Sequence, residues 1–271
     1  MKTYYSPLTL IKSLLHYRHL IGQLVWRDVL GRYQGSFLGV LWSFFNPILM
    51  LGVFTFFFTE IFNAKWRPGS ETKGEFAVAL FAGLIFYYFF SECASRAPVT
   101  VVSQQNYVKK IVFPLEIFSV VNAGSALFHF GISTIVLLIF QLFLGNGIPL
   151  TFLYLPLILL PLCILGIATG WLLSALGVYF RDLPQIVSVY VLALMYISPL
   201  FFDVTAMPEK FRFLMNLSPL TVLINEGRKV MVWGQQPDFQ LLATYTAIVS
   251  VVALVSFAIF QKLRRGFADV L

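Results

Sequence analysis

The sequence has little charge and little cysteine. Only 11% of its 271 residues are Asp, Glu, Lys or Arg, about half the share found in an ordinary soluble domain. The two cysteines, Cys93 and Cys163, lie far apart and form neither a metal motif nor a disulfide framework. No basic stretch leads into an apolar core and a small-residue cleavage site, so we expect no signal peptide. The low share of charged residues argues against a soluble domain.

Motifs for nucleotide hydrolysis and metal binding are also missing. The chain has no G-x-x-x-x-G-K-[ST] phosphate loop, so we expect it not to hydrolyse ATP itself. It has no H-E-x-x-H or C-x-x-C motif, and we therefore expect no metal, no cofactor and no catalytic residue in this chain. No predicted span has a carboxylate near its centre, which weakens the interpretation as a proton-coupled carrier.

Long apolar runs dominate what is present. Hydrophobic residues make up 59% of the chain, and the mean hydropathy is +0.83. Six segments are near the ~20 residues that a membrane-spanning helix needs. We therefore predict an all-α integral membrane protein, a single polytopic domain over residues 1–271. The predicted spans are 36–61, 76–92, 115–144, 150–180, 184–202 and 239–261.

The net charge of +7 is distributed unevenly between the two sides of this topology. We assign the termini and the loops 93–114 and 181–183 to one side, which then carries twelve bases and five acids, a net charge of +7. The other side carries seven bases and seven acids and is neutral. Basic loops stay in the cytoplasm, so both termini are predicted to be cytoplasmic. Orientation accounts for the positive charge, and we expect no nucleic-acid partner.

Residues 8–30 contain a polar and an apolar row at spacings of three and four residues. This pattern predicts an amphipathic helix that charge prevents from spanning. We expect it to lie in the membrane surface, with packing on another subunit as the alternative. The polar row is Lys12, His16, His19, Gln23 and Arg27, and the apolar row is Leu10, Leu14, Tyr17, Ile21 and Leu24.

The external segment 203–238 is longer than a turn and partly apolar. Pro208-Glu209 and Ser218-Pro219 are typical of helix starts, since proline fits the first helical turn and an acid favours the N-terminus. Neither helix is long enough to span. We predict a re-entrant helical hairpin that dips into the outer leaflet before the last span.

Few side chains within the spans could carry chemistry. His129 is the one ionisable group deep in a predicted span, and a neutral imidazole hydrogen-bonded to a neighbouring helix is favoured over a proton relay.

Aromatic residues make up 17% of the chain. Their flat faces could form a path for sugars, although interfacial belts and lipid-facing bulk account for most of them. The residues assigned to such a path are Trp42, Phe45, Tyr190 and Tyr196.

The two cytoplasmic loops are candidate docking surfaces. The loop 93–114 is long enough for a short helix that docks onto a partner, and its stretch NYVKKIVFPLE brings Lys109 and Lys110 to the interface. Topogenic charge alone would also account for these lysines. In the tight 181–183 connection, Arg181 and Asp182 either cap two helix ends or contact the same partner.

Five stretches of this sequence together resemble one family. Taken in order, they are similar to the membrane subunit of polysaccharide and O-antigen ABC exporters, the Wzm-type permeases, over nearly the whole chain. A small departure is Ser218-Pro219, where the family pattern has Asn-Pro. The stretches are RDVLGRYQGSFLGVLWSFFNPILML, LFAGLIFYYFFSECASRAPVTVV, NYVKKIVFPLEIF, GVYFRDLPQIV and ISPLFFDVTAMPEKFRFLMNLSPLTVLINEGRKV.

The resemblance implies a bacterial inner-membrane homodimer that recruits two ABC ATPase subunits, which carry the ATP and Mg. It implies an undecaprenyl-diphosphate-linked polysaccharide as substrate, membrane lipids as surroundings, and gate helices in the last external loop. The first cytoplasmic loop would carry the coupling helix, at Val99, Thr100, Val101, Val102, Ser103, Gln104 and Gln105, with Arg181 and Asp182 beside it. The cations that would attract the diphosphate are Arg27, Arg32, Lys109 and Arg181.

Two other functions remain open at this point. The same architecture would suit export of teichoic acid or another small amphiphile. A membrane enzyme acting on a polyprenyl-linked sugar, with His129 or an external acid as catalyst, is the alternative of a different class. The lack of an acidic or metal-binding cluster counts against the enzyme.

Overall fold

The computed structural model describes residues 7–62, 66, 74–104, 113–144, 147–202 and 209–271, and every regular element in these ranges is helical. Short turns of 3-10 helix lie at Gly39–Leu41, Val102–Gln104 and Leu150–Tyr154, and Phe56–Ile61 is a π-helix. The α-helices are α1 Pro7–His16, α2 Arg18–Tyr33, α3 Trp42–Thr55, α4 Glu75–Thr100, α5 Ile117–Phe143, α6 Leu155–Tyr179, α7 Leu183–Ile197, α8 Glu209–Leu217, α9 Thr221–Met231, α10 Phe239–Arg264 and α11 Phe267–Val270.

Within the described residues, five helical segments are long and apolar enough to cross a membrane, namely Gly39–Ile61, Glu75–Thr100, Ile117–Phe143, Leu150–Tyr179 and Phe239–Arg264. They coincide with five of the predicted spans. The remaining one, predicted at 184–202, is the helix α7 of only 15 residues. At 1.5 Å per residue it is about 22 Å long, shorter than the ~30 Å hydrocarbon core. It ends because Pro199 follows Ser198, whose backbone is extended.

Helix α4 lies at the centre of the molecule. Its side chains are buried in almost unbroken sequence from Phe76 to Phe90, as expected of a helix that is apolar all round. It packs against α5, α6, α7 and α9, and α6 in turn packs along α10. The outer helices α3 and α7 keep one face on α4 and leave the other face exposed.

Small residues allow these helices to approach closely. A Cβ atom placed on Gly177 of α6 would lie 2.0 Å from the backbone oxygen of Pro98 in α4. Near the middle of the same helix pair, a Cβ atom on Gly166 would lie 3.0 Å from Cys93 Sγ. Glycine is therefore required at Gly177, where the atom in the way belongs to the backbone.

The bundle has two chemically different ends. At the first, which we call the α2 end, Arg264 Nη1 donates to Glu116 Oε2 at 2.7 Å and ties the end of α10 to the start of α5. At the second, the α9 end, Gln141 Nε2 donates to the Met231 carbonyl at 2.8 Å. The N-cap Asp238 accepts from the Leu241 N–H at 3.0 Å and starts α10 there.

The segment predicted as one interfacial helix at 8–30 is two helices that break at Tyr17. The apolar row of α2 packs against α5 of the same chain, where Leu24 is buried with Ile117 and Val121. These apolar side chains therefore pack against another helix of the same chain.

The second predicted span also differs, because α4 continues from residue 92 to Thr100. The charge of Arg96 in this extension is compensated by Asp28.

Candidate functional site

A polar cluster joins α2, α4 and α5 at the α2 end. The guanidinium of Arg96 makes two hydrogen bonds to the Asp28 carboxylate, at 2.7 and 2.5 Å. Arg32 forms an ion pair with Glu92 and lies 3.9 Å from Asp28. Two guanidinium groups thus face two carboxylates, and their formal charges cancel. The bidentate Arg96–Asp28 pair fixes α2 on α4.

His129 completes this cluster from α5. Its Nδ1 lies 3.0 Å from Glu92 Oε2, and its Nε2 lies 3.0 Å from the Tyr33 hydroxyl. The prediction that His129 hydrogen-bonds to neighbouring helices is confirmed. Glu92 lies about 12 Å from the end of α4 at 1.5 Å per residue, whereas the sequence placed it at the end of a span.

The Asp28 carboxyl on α2 is held in its charged form. Burial alone would raise its pKa, but the hydrogen bonds from Arg96 and the positive charges of Arg96 and Arg32 outweigh burial. The pKa of Asp28 therefore lies below its ordinary value. The contact between α2 and α4 is ionic at neutral pH.

Two cavities flank the polar cluster. The first, of about 480 Å³, we call the Trp42 cavity, and it lies among α2, α3, α4 and α5. Its lining includes Tyr33, Trp42, Asn46, Ser91, Ser95 and Ser133. The second, of about 410 Å³, we call the Arg27 cavity, and its lining includes Arg27, Arg96, Thr100, Ser103, Gln104 and Asn122.

A second buried charge lies at the α9 end, and the sequence analysis missed it. Arg228 on α9 has no exposed surface. It donates to the carbonyl oxygens of Ala79 at 2.7 Å and Leu200 at 2.8 Å, and also to that of Pro199. This residue thereby ties α9 to α4 and to the end of α7. The charge count had placed Arg228 in an external loop.

Glu226, two residues earlier on α9, is also buried. Its carboxylate accepts from Lys229 Nζ at 2.6 Å and from the Asp238 N–H at 2.8 Å. The carboxylate thus connects α9 to the residue that caps α10. Buried charges of this kind persist only with such partners.

The residues predicted for ATPase coupling all lie at the α2 end where they are described. Val99 and Thr100 are the last residues of α4, and Val101 is buried behind them. Val102, Ser103 and Gln104 form a single 3-10 turn. Arg181 and Asp182 are exposed between α6 and α7. Gln105 and Lys109 lie outside the described residues.

The predicted aromatic residues lie on two helices that both pack on α4. Trp42 and Phe45 are exposed on α3, with ring centres 6.3 Å apart in an edge-to-face arrangement. Tyr190 and Tyr196 are exposed on α7, and Tyr196 stacks on Phe201 at 6.1 Å. Of these residues, the structure brings only Trp42 into either cavity.

Within the described residues, no group of three His, Cys, Asp or Glu side chains is placed to hold a metal ion. Both cysteines are free thiols. What the α2 end offers is hydrogen-bonding groups and compensated charge next to two cavities. The α2 end is therefore suited to binding a ligand.

Comparison with known proteins decides the family. The sequence model of the ABC-2 type transporters matches residues 19–232, which is most of the chain. The chain belongs to the ABC-2 type transporter family. This ABC-2 protein is 27% identical over 247 residues to an O-antigen export system permease protein RfbA of Klebsiella pneumoniae, covering 90% of this chain and 92% of that protein.

A second relative has the same printed name and comes from Myxococcus xanthus. It is 27% identical over 262 residues, which cover 96% of this chain and 98% of the relative. The resemblance to Wzm-type permeases is confirmed. The ABC-2 protein is a multi-pass transport subunit, and its family implies an ABC ATPase as partner.

Proposed function

We propose that this ABC-2 protein is the transmembrane subunit of an ATP-driven exporter that moves undecaprenyl-diphosphate-linked O-antigen or a related polysaccharide across the bacterial inner membrane. The observation that carries the proposal is the similarity to O-antigen export permeases over at least nine-tenths of both chains. The coverage matters because relatives that match only part of a chain support a shared fold but not a shared substrate.

Energy for transport enters at the α2 end. The sequence has no phosphate loop, so ATP and Mg bind to the partner ATPase. The ATPase contacts the segment from Val99 to Gln105 together with Arg181 and Asp182. The exposure of Ser103 and of the Arg181-Asp182 connection at one end supports this assignment. That end, with both termini, faces the cytoplasm.

The functional unit is a homodimer that meets along α3 and α7. Both helices pack on α4 with one side and expose large apolar side chains on the other, including Phe45 and Ile48 on α3 and Val189 and Tyr190 on α7. The sugar path runs at this interface past Trp42, Phe45, Tyr190 and Tyr196. The segment 203–238, with α8 and α9, is the exit gate at the outer leaflet.

The diphosphate is attracted by cations at the cytoplasmic side. Arg27 is exposed, lines a cavity, and has no ion pair in the described part of the chain. Arg181 and Lys109 provide further positive charge. Arg32 has both Glu92 and Asp28 within reach, so it contributes less attraction than Arg27.

Deletion of this chain tests the function directly. In a cell that makes a surface polysaccharide, deletion should stop export, while lipid-linked polymer accumulates inside and polymer synthesis continues. Complementation with the intact chain should restore export, and Trp42→Ala, Phe45→Ala, Tyr190→Ala or Tyr196→Ala should restore it poorly for long chains. Export that continues without the protein would contradict the proposal.

The same experiment separates the alternatives. If teichoic acid or a small amphiphile accumulates instead, the architecture is correct and the substrate is different. If the lipid-linked sugar itself is chemically altered, the protein is an enzyme. No specific observation favours either alternative.

A further inference from the structure

The Trp42 cavity has the chemistry of a site for an uncharged, hydroxylated ligand. Ser91, Ser95 and Ser133 supply hydroxyl groups, and Asn46 supplies an amide, each able to donate and to accept. Trp42, which is 41% exposed, presents an indole ring to the same space. An indole face next to hydrogen-bonding groups suits a ring with both apolar C–H and hydroxyl faces.

The charged side chains that line this cavity already form an ion pair with each other. Arg32 and Glu92 both line it, and they form an ion pair with each other. His129 lies against Glu92 and Tyr33. A phosphate group entering here would meet the Glu92 carboxylate along with the cation, so the cavity offers no net attraction to an anion.

The Arg27 cavity on the other side of the cluster differs in charge. Three guanidinium groups line it, from Arg27, Arg32 and Arg96, against the one carboxylate of Asp28. Glu92 compensates Arg32 from outside this lining, and Arg27 remains as an additional cation. The polar cluster therefore separates a neutral cavity from a basic one.

We infer that the Trp42 cavity binds an uncharged sugar unit of the transported molecule, while the diphosphate stays on the basic side of the polar cluster, at Arg27. The inference rests on the proposed function and deepens it, because it divides the substrate's neutral and charged parts between two cavities. Arg32 then acts as a structural cation that neutralises Glu92.

Binding to the purified full-length chain in lipid nanodiscs tests this division with two probes. One probe is undecaprenyl diphosphate alone, and the other is the same lipid carrying a short uncharged oligosaccharide. The wild-type chain should bind the glycosylated probe roughly tenfold more tightly, as expected of one aromatic platform with hydrogen bonds. Trp42→Ala and the cavity-filling Ser95→Leu should abolish this advantage and leave affinity for the bare lipid diphosphate unchanged.

Control variants separate the loss of the Trp42 ring from general effects on the protein. Trp42→Phe retains an aromatic face and should recover most of the advantage, whereas Trp26→Ala removes an exposed indole that lines neither cavity and should have no effect. Arg27→Gln should weaken both probes alike. Ser95 is exposed, so leucine there fills the cavity without overpacking the core.

Three results would overturn the inference. Equal losses for both probes in Trp42→Ala would place the diphosphate in the Trp42 cavity or give Trp42 a purely structural role. An unchanged preference in Trp42→Ala and Ser95→Leu would move the sugar site elsewhere while the proposed function stands. A wild-type chain that binds neither probe would contradict the proposed function together with the site.

Discussion

The guanidinium carbon of Arg228 lies 4.2 Å from the centre of the Trp66 ring. The ring covers one face of a cation that is also hydrogen-bonded to three backbone carbonyls, those of Ala79, Pro199 and Leu200. Stacking on an aromatic ring and a planar fork of donors are both properties of arginine that lysine lacks. Arg228 therefore fixes α9 at a position between α4 and α7.

Replacing Arg228 should destabilise the protein. Arg228→Met removes the donor from the buried carbonyls of Pro199 and Leu200, each at a cost of about 1–3 kcal/mol, so the midpoint of thermal unfolding in detergent should fall sharply. Arg228→Lys should recover only part of the loss, since one ammonium cannot span the three acceptors. Arg27→Met, at an exposed position, is the control and should unfold like the wild type. Equal midpoints for Arg228→Met and the control would contradict the role of Arg228.

Gly177 should tolerate no side chain. In Gly177→Ala the new Cβ would lie 2.0 Å from the Pro98 oxygen, so α4 and α6 must separate. Overpacking of this kind costs about 1–3 kcal/mol, which we would measure as a lower unfolding midpoint. Gly131→Ala on α5 is the matched control, because nothing lies within 4 Å of its Cβ position. A loss of the same size in both variants would show that helix packing at Gly177 is not the cause.

The Asp28–Arg96 contact should persist in weak acid. Because the pKa of Asp28 is lowered in the folded protein, its stabilisation is complete above the unfolded value of about 3.9 and is lost as the pH falls through the folded value. The difference in unfolding midpoint between the wild type and Asp28→Asn should therefore stay constant from about pH 7 to 5 and close below about pH 4. Asp182→Asn, at an exposed carboxylate, is the control. A difference that closes above pH 5 would contradict the lowered pKa.

Ser103 and Glu209 should face opposite sides of the membrane. Both positions are exposed, Ser103 at the α2 end and Glu209 at the start of α8. Single cysteines there, in a background without Cys93 and Cys163, should react with an impermeant thiol reagent from opposite sides. Labelling of both from the periplasm would overturn the predicted topology.

A proline at Gln104 should uncouple transport. The Gln104 N–H donates to the Val101 carbonyl at 3.0 Å and closes the 3-10 turn after α4. Gln104→Pro removes that donor, and both export and co-purification of the ATPase should fall, whereas Gln104→Ala keeps the turn and should retain both. Full export by Gln104→Pro with the ATPase still bound would show that coupling does not depend on this turn.

Much of the architecture was predictable from the sequence. Apolar runs of sufficient length predict membrane helices because every backbone polar group in a bilayer must be paired within the segment. Five of the six predicted spans coincide with long apolar helices. The boundaries of the spans were not all predicted correctly, since α4 continues past Glu92 to Thr100, where Arg96 has Asp28 as a partner. The shortness of α7 was signalled by Ser198-Pro199, which the hydropathy pattern ignores.

That the chain is helical, apolar and suited to a membrane follows from the amino-acid sequence, because these properties depend on residues close together in the chain. Which charges are compensated depends on the tertiary structure. Glu92 lies 37 residues from His129 and 60 from Arg32, and Arg228 lies 149 residues from Ala79. A charge count treats each of these groups as solvated. Their partners are set by which helix faces lie opposite each other, and that is determined by packing between distant segments.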